Sequence, residues 1–598
     1  MVATGQTLKT RWAAGITPEN AWREYPRPQM VRKDWVNLNG LWHVELRHPD
    51  PAREYPVISG TILVPYPAES QLSGFHHSVS PDQLLHYERT FERPKGDRVL
   101  LHFEAVDWLT RVYVNGKLVG DHTGGYDRFT FDITDSLTHS GDQKLEVDVC
   151  DPTDEGYEPR GKQALKPEGI FYTPTTGIWQ TVWLEGVPPT YIGGLKIEPL
   201  ASMDEVNVSI EAKGNLNGKF GRVEVIDRGK VVAEATAPLV TESIPPERPG
   251  QGAQPLRWLL NVPDGIAWSP ENPHLYDLRV TLLDADKEHV IDEVTSYFGF
   301  RQISLVKNDK GQPVIALNGK PYFLIGTLDQ GFWPDGLYTP PSDEAMKYDL
   351  EVTKRLGFNM IRKHVKVEPE RWYYWCDKLG ICVLQDMPSG DKFIGPNDPD
   401  IDRSPESAAD FRAELKAMVD THFNHPSIVT WVLYNEGWGQ WNTEEMTHWL
   451  KSHDPTRLVD ATTGWTDRGV GDYSDIHDYP GPGIPKPDPN RALFLGEFGG
   501  LGLPEPGHMW KEKGWGYQSF KTSEELTNRF VEIFEGLKKL EGEGLSGAVY
   551  TQTTDVETEL NGLMTYDRKV IKMDEHRIRQ AIEALRQASP RETATAGG

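Results

Sequence analysis

Cysteine is scarce in this chain. Its three cysteines in 598 residues, Cys150, Cys376 and Cys382, are too few and too scattered for a disulfide framework, and no CxxC or His-rich pair accompanies them. A reducing compartment follows, and the expected location is the cytoplasm. Basic charge is also short: 63 Lys and Arg face 89 Asp and Glu, and the formal net charge of −26 argues against nucleic acid or a membrane as partner. Long hydrophobic runs are missing, since nowhere do about 18 consecutive apolar residues occur. The opening MVATGQTLKTRWAAG has no apolar stretch of export-signal length, so a soluble, unexported chain is expected.

Several catalytic signatures are absent as well. There is no HExxH, no GxSxG, and no HxH at the end of the first strand of the C-terminal region, which leaves zinc-protease, serine-hydrolase and metal-dependent barrel chemistry without ligands or nucleophile. The segment GYEPRGKQ (156–163) fits GxxxxGK, but Gln163 stands where a phosphate-binding loop needs Ser or Thr, and it lies among strands. No cofactor and no metal is therefore expected. Aromatic residues are plentiful, with 19 Trp and 22 Tyr; their faces suit sugar rings, although β-domain cores claim most of them.

From residue 35 to about 184 the chain reads as short strands broken by turn signals. WVNLNGLWHVEL and VYVNGKLV are expected hairpins with Asn39-Gly40 and Asn115-Gly116 at their turns, and GIFYTPTTGIWQTVWLEG (169–186) a further aromatic strand pair. A second all-β stretch over about residues 192–302 carries LKIEPL, EVNVSIEA, GRVEVID, KVVAEAT, LYDLRVTLLD and EVTSYFGF, with an exposed Pro/Gly-rich loop at 240–255. From residue 318 strand and helix alternate. The strands are YFLIGTL, FNMIRKH, ICVLQDM, IVTWVLYNE, LVDATTG, DIHDYP, ALFLGEFGG and GAVYTQTTD, with helices over 342–356, 369–379, 405–423, 444–451 and 523–540. Eight strands in about 240 residues are what a closed (β/α)₈ barrel needs. A doubly wound sheet is disfavoured because no Gly-rich fingerprint follows any strand. Residues 573–587 should form a closing helix and 588–598 a frayed tail.

In such a barrel the site lies where the strands end. Those ends offer Arg362 and His364 on one face of strand two, Asp386 after strand three, Asn435 and Glu436 after strand four, His477 and Tyr479 after strand six, Glu497 on strand seven, and Tyr550, Gln552 and Asp555 on strand eight. Trp438 and Trp465 add aromatic faces and join the substrate-binding set. Two strand-end glutamates without a metal point to acetal cleavage through an oxocarbenium-like transition state, one carboxyl protonated to donate and one ionised to attack. Arg362 would hold Glu497 ionised. Desolvation by Trp438 and Trp441 would raise the pKa of Glu436, which favours it as the acid, though environment alone leaves the reverse assignment open.

These residues carry a resemblance to glycoside hydrolase family 2. VNLNGLW, VYVNGKLVGDHTGGYDRFTFDIT and GIWQTVWLE resemble its jelly-roll sugar-binding domain; SPENPHLYDLRV and FGFRQI its immunoglobulin-like domain; RLGFNMIRKH, WCDKLGICVLQDMP, YNEGWG and LGEFGG its barrel. The resemblance implies an N-terminal jelly-roll β-sandwich over residues 1–190, an immunoglobulin-like β-sandwich over 191–302 and a catalytic (β/α)₈ TIM barrel over 303–598. It implies Glu436 as general acid/base, Glu497 as nucleophile, Asn435 on the sugar 2-hydroxyl, Tyr479 bonding and Arg362 orienting the nucleophile, retention of configuration, and a possible homo-oligomer.

Three departures bear on the sugar. Arg362-Lys363-His364 has one residue fewer between Arg and His than the family's β-galactosidases; Tyr550-Thr551-Gln552 stands where they place tryptophans; and Asn561-Gly562-Leu563 lacks the lysine with which β-glucuronidases hold a carboxylate. The expected substrate is a carbohydrate ending in a neutral, β-galactose-like sugar. The alternatives are a β-D-galactofuranosidase or α-L-arabinofuranosidase, a β-glucuronidase or β-mannosidase, and a non-catalytic carbohydrate-binding protein.

Overall fold

The computed structural model describes residues 8–50, 52–53, 55–239 and 256–588. The loop expected over 240–255 lies outside them, as does the tail expected over 588–598 apart from Ala588, which ends the last helix.

The N-terminal part is two facing antiparallel sheets. One has six strands in the order Ile58–Val64, Gly40–Arg47, Leu84–Phe91, Gln143–Cys150, Leu109–Val114, Lys117–Thr123; the other has Trp35–Asn37, Val182–Val187, Arg98–Phe103, Phe129–Asp132. Trp42, Val44, Tyr87, Leu101, Phe103, Val112, Val147 and Leu184 fill the space between them. The Asn115-Gly116 hairpin forms as expected, with both residues at positive φ. The Asn39-Gly40 hairpin does not: Trp35–Asn37 pairs with Val182–Val187, Gly40–Arg47 pairs with Ile58–Val64 and Leu84–Phe91, and the chain crosses between sheets at that dipeptide. The aromatic pair expected over 169–186 is likewise split, Gly177–Ile178 pairing with Val106–Asp107 and Val182–Val187 with Arg98–Phe103.

The middle part is a seven-stranded sandwich, three strands (Tyr191–Pro199, Glu205–Lys213, Leu256–Asn261) against four (Lys230–Pro238, Phe220–Asp227, Tyr276–Leu283, Val290–Phe298). Arg32 ties the two sandwiches together, bonding Glu185 at 3.1 Å and Asp292 at 2.8 Å.

The C-terminal part is an eight-stranded parallel sheet: β1 Leu324–Asp329, β2 Met360–Lys363, β3 Cys382–Asp386, β4 Ile428–Val432, β5 Leu458–Asp460, β6 Tyr473–Asp478, β7 Ala492–Gly499 and β8 Leu545–Thr551. The order β5-β4-β3-β2-β1-β8-β7-β6 is a barrel closed everywhere except between β5 and β6. Its helices are α1 Asp343–Arg355, α2 Glu370–Leu379, α3 Pro405–His422, α4 Thr443–His453, α5 Ser523–Glu543 and α6 Glu575–Ala588. Ser342 caps the start of α1 through Ala345 N, Gly357 at φ 103° follows its last turn, and Gly380 ends α2 at φ 72°. Leu324, Leu328, Met360, Leu384, Val432, Phe494 and Val549 fill the barrel interior. Ile303, Ile315 and Leu317, from a hairpin beneath, and Trp268 of the middle sandwich close its floor. Polar strand ends are thereby left for the opposite rim. One continuous core joins that rim to the first sandwich, with Trp22, Tyr66, Tyr126, Tyr172 and Trp179 packed among Phe332, Tyr338 and Met387.

Candidate active site

The rim is organised on Arg362, which is fully buried. Its Nε and Nη2 clamp Asp386 at 2.9–3.2 Å; Nη1 donates to Glu497 Oε1 at 3.1 Å and to the Gly496 carbonyl at 3.2 Å; Nη2 also reaches Asn435 Oδ1 at 2.8 Å and Thr463 Oγ1 at 2.9 Å. One rigid fork on β2 thus fixes groups on or just after β3, β4, β5 and β7, which lysine could not do. Arg362 and Asp386 are both buried, and the bonds just described tie them to Glu497, Asn435 and Thr463, which they position.

β4 ends in a turn that presents Glu436. Asn435 bridges Thr463 beyond β5, Glu436 N donates to Thr463 O at 3.0 Å, and Glu436 and Gly437 both take positive φ, 53° and 83°. A Cβ on Gly437 would fall 2.6 Å from the Ile394 carbonyl, so glycine is required there. Glu436 meets His477 of β6, whose Nδ1 lies 2.8 Å from Oε1 and 3.4 Å from Glu497 Oε2. Tyr479 donates to Glu497 Oε2 at 2.7 Å and lies 2.7 Å from Thr551 Oγ1, with its ring stacked on Tyr517 at 3.8 Å. An oxygen of Glu436, an oxygen of Glu497 and a ring nitrogen of His477 all lie within 4.8 Å of one another.

The electrostatics correct one expectation. Burial does push the Glu436 carboxyl up, but the hydrogen bond and charge of His477 outweigh it and hold the group well below the usual carboxylate range. Glu497 is also lowered: burial and the Glu436 charge act upward, while His477, Arg362 and His364 prevail. His364 is buried with Nδ1 3.2 Å from Asp386 and 4.0 Å from Glu497, and burial keeps it toward the neutral imidazole.

Of the remaining expected residues, Asn435 is buried with Nδ2 lacking a partner among the described residues, and Trp438 stands half-buried edge-on to Phe171 at 5.4 Å. Trp465 is exposed beside His477, with their rings 5.7 Å apart. Trp441 is buried, with the Arg412 guanidinium over its ring at 4.5 Å. Gln552 donates to Asn561 Oδ1 at 2.7 Å, and Asp555 is tied to Lys572 at 2.7 Å. Tyr550 is a second correction. Its ring points outward among Phe498, Phe530 and Phe534 in the layer under α5, so it lines no pocket; Thr551 faces the site instead. Thr463, Thr551 and Tyr517 were not anticipated, because hydroxyls and rings in loops carry no periodic signal.

Among the described residues two clusters have metal-ligand spacing: Glu436, His477 and Glu497, and His86, Glu88 and Glu146 on the six-stranded sheet. The second is engaged in ion pairs, with Lys144 at 2.7 Å from Glu88 and 2.8 Å from Glu146.

Three family models match the chain: the TIM barrel domain of glycosyl hydrolases family 2 over residues 314–477, the family 2 domain over 190–301, and the family 2 galactose-binding domain-like domain over 77–176. A β-galactosidase of Aeromonas hydrophila subsp. hydrophila is 26% identical over 592 residues, 91% of this chain and 54% of its own. A putative β-glucuronidase of Formosa agariphila is 30% identical over 339 residues, 56% of this chain and 37% of its own. The chain thus spans about half or less of the length of these relatives. Among solved structures, a β-galacturonidase from Eisenbergiella tayi bound to galacturonate superposes with a TM-score of 0.70 at 21% identity, covering 94% of this chain and 99% of that one. A Bifidobacterium dentium β-glucuronidase complexed with coumarin-3-O-glucuronide gives 0.72 at 19%, covering 94% and 98%; both likenesses bear on the fold. Three models in chain order, on an architecture of two sandwiches and a parallel barrel, have one reading: the chain belongs to glycoside hydrolase family 2.

Proposed function

We propose that this protein is a retaining, exo-acting glycoside hydrolase that removes a neutral, β-galactose-like sugar from the non-reducing end, with Glu497 as nucleophile and Glu436 as acid/base. The observation that carries this reading is the spacing of the pair. Carboxyl oxygens within 4.8 Å fit the about 5 to 5.5 Å separation of retaining enzymes and leave no room for the water that inverting ones seat across about 6.5 to 9.5 Å.

In the first step a Glu497 carboxylate oxygen attacks the anomeric carbon and the bond to the leaving oxygen breaks. Glu436 protonates that oxygen, leaving a glycosyl ester on Glu497. In the second, Glu436 takes a proton from water, the water oxygen attacks the same carbon, and Glu497 departs as carboxylate. The proton that the leaving oxygen takes comes from Glu436, whose Oε1 lies 2.8 Å from His477 Nδ1. Asn435 Nδ2, without a partner among the described residues, is suited to the sugar 2-hydroxyl. A neutral sugar is supported by Leu563, which stands where the β-glucuronidases carry lysine. The outward turn of Tyr550, which leaves the β8 rim without an aromatic platform, favours a second reading as a β-galactofuranosidase or α-L-arabinofuranosidase.

A panel of aryl pyranosides and furanosides, with proton NMR of the first-formed anomer, tests the reading. The expected result is turnover with retention and labelling of a Glu497 peptide by a 2-fluoro glycoside. Inversion, or no turnover of any member, overturns it.

A further inference from the structure

The segment Gly156 to Gln163, useless as a phosphate loop, does something else. Residues 160–163 form a strap from the N-terminal sandwich clamped on both sides. Arg160 N and Gly161 N both donate to the Ser389 carbonyl beyond β3 at 2.8 Å; on the sandwich side Gln163 Nε2 donates to Asp107 Oδ2 at 2.9 Å, while its Oε1 accepts from Thr175 N. Gly161 sits at φ 65°, and a Cβ there would come within 2.5 Å of the Val365 carbonyl and 2.7 Å of the Tyr338 hydroxyl, so the strap lies directly on the barrel. Tyr172 N closes it from behind, donating to the Lys162 carbonyl at 2.8 Å.

What this clamp delivers is the Lys162 side chain, only 7% exposed. Its Nζ lies 5.7 Å from the centroid of Phe171, the ring that meets Trp438 just past Glu436. Among the described residues no carbonyl or carboxylate accepts a hydrogen bond from Nζ, although its charge acts on Glu436, His364 and Glu559. An ammonium on a largely buried stem, with no protein acceptor, keeps its hydrogen bonds to offer, and a site that a ligand enters is where they are taken up.

We propose that Lys162 is a substrate-binding, specificity-determining residue whose ammonium donates to hydroxyl oxygens of the sugar seated between Glu436 and Glu497. The N-terminal sandwich then completes the active site instead of standing apart from it as a separate binding module. This rests on the reading of Glu436 and Glu497 as the catalytic pair. The ligand class is neutral, because an anionic substituent beside Nζ would also face the carboxyls of Glu436 and Glu559.

The test compares the full-length parent, Lys162→Met and Lys162→Arg on neutral aryl glycosides and aryl uronides, with labelling of Glu497 as a separate readout. Loss of a hydrogen bond from a charged donor predicts a fall in kcat/KM of about 10- to 150-fold for Lys162→Met. Lys162→Arg should recover part of it, and the melting temperature should be unchanged, since the clamp uses backbone and Gln163. Activity of Lys162→Met within twofold of the parent, with Glu497 still labelled, overturns the proposal and leaves the catalytic pair standing. A parent that turns over uronides in preference to neutral glycosides overturns the ligand class. If the parent neither turns over nor is labelled, the catalytic reading fails, and calorimetry with galactose on the parent and Lys162→Met still decides: weaker binding by the variant supports the role, and equal or no binding by both overturns it.

Discussion

Removing one oxygen atom, in Tyr479→Phe, probes the nucleophile most cleanly. The hydroxyl donates to Glu497 Oε2 at 2.7 Å, and burial, then the Glu497 charge, push the phenol well above its ordinary range, so it remains a donor at any working pH. The ring is held independently by stacking on Tyr517 at 3.8 Å with planes 5° apart, so the variant keeps its shape. A hydrogen bond to an ionised partner is worth about 1.5–3 kcal/mol, and each 1.36 kcal/mol is a factor of about ten in rate. The expected loss in kcat/KM is therefore about 10- to 150-fold. It falls toward the lower figure if Thr551, 2.7 Å from the same hydroxyl, swings over to donate in its place; Tyr479→Phe with Thr551→Val should then reach the upper. The assay is initial-rate hydrolysis of an aryl glycoside with a good leaving group, beside a thermal melt. Rates within twofold of the parent for both variants would refute the claim that Tyr479 holds the attacking carboxylate.

Two further expectations follow from placement and charge. Tyr550→Phe should leave kcat/KM within about twofold of the parent, because the residue packs under α5 away from the sugar; a tenfold loss measured on the same substrate would restore it to the pocket. Glu497 is held below its usual value, so it stays ionised and contributes stability above the unfolded carboxyl pKa of about 4.3, both being lost only as pH falls through the lower folded value. The acid limb of kcat/KM should accordingly lie below about pH 4.3, and a limb centred above pH 5 would contradict the assigned charges.

The sequence alone determined the barrel strands and put a glutamate at the end of two of them. Parallel strands are apolar on both faces and must surrender polar groups at their ends, so IVTWVLYNE and ALFLGEFGG announce themselves without any partner. The period of two likewise put Arg362 and His364 on one face of β2. The same rule fails at β8: a strand buried on both faces carries no mark of which face is inward, and tertiary packing turned Tyr550 out and Thr551 in. Asn39-Gly40 reads locally as a hairpin turn, yet Trp35–Asn37 has its partner at Val182–Val187, and long-range pairing prevailed over turn chemistry. Glu436 shows the limit most plainly. Its sequence neighbours Trp438 and Trp441 argue for a raised carboxyl, whereas the neighbour that decides its charge is His477, forty-one positions on. Hydrogen bonds and charges act over a few ångströms and are blind to chain distance, so the identity of each group is written in the sequence while its neighbours are chosen only when the barrel closes and the sandwich strap settles on its rim.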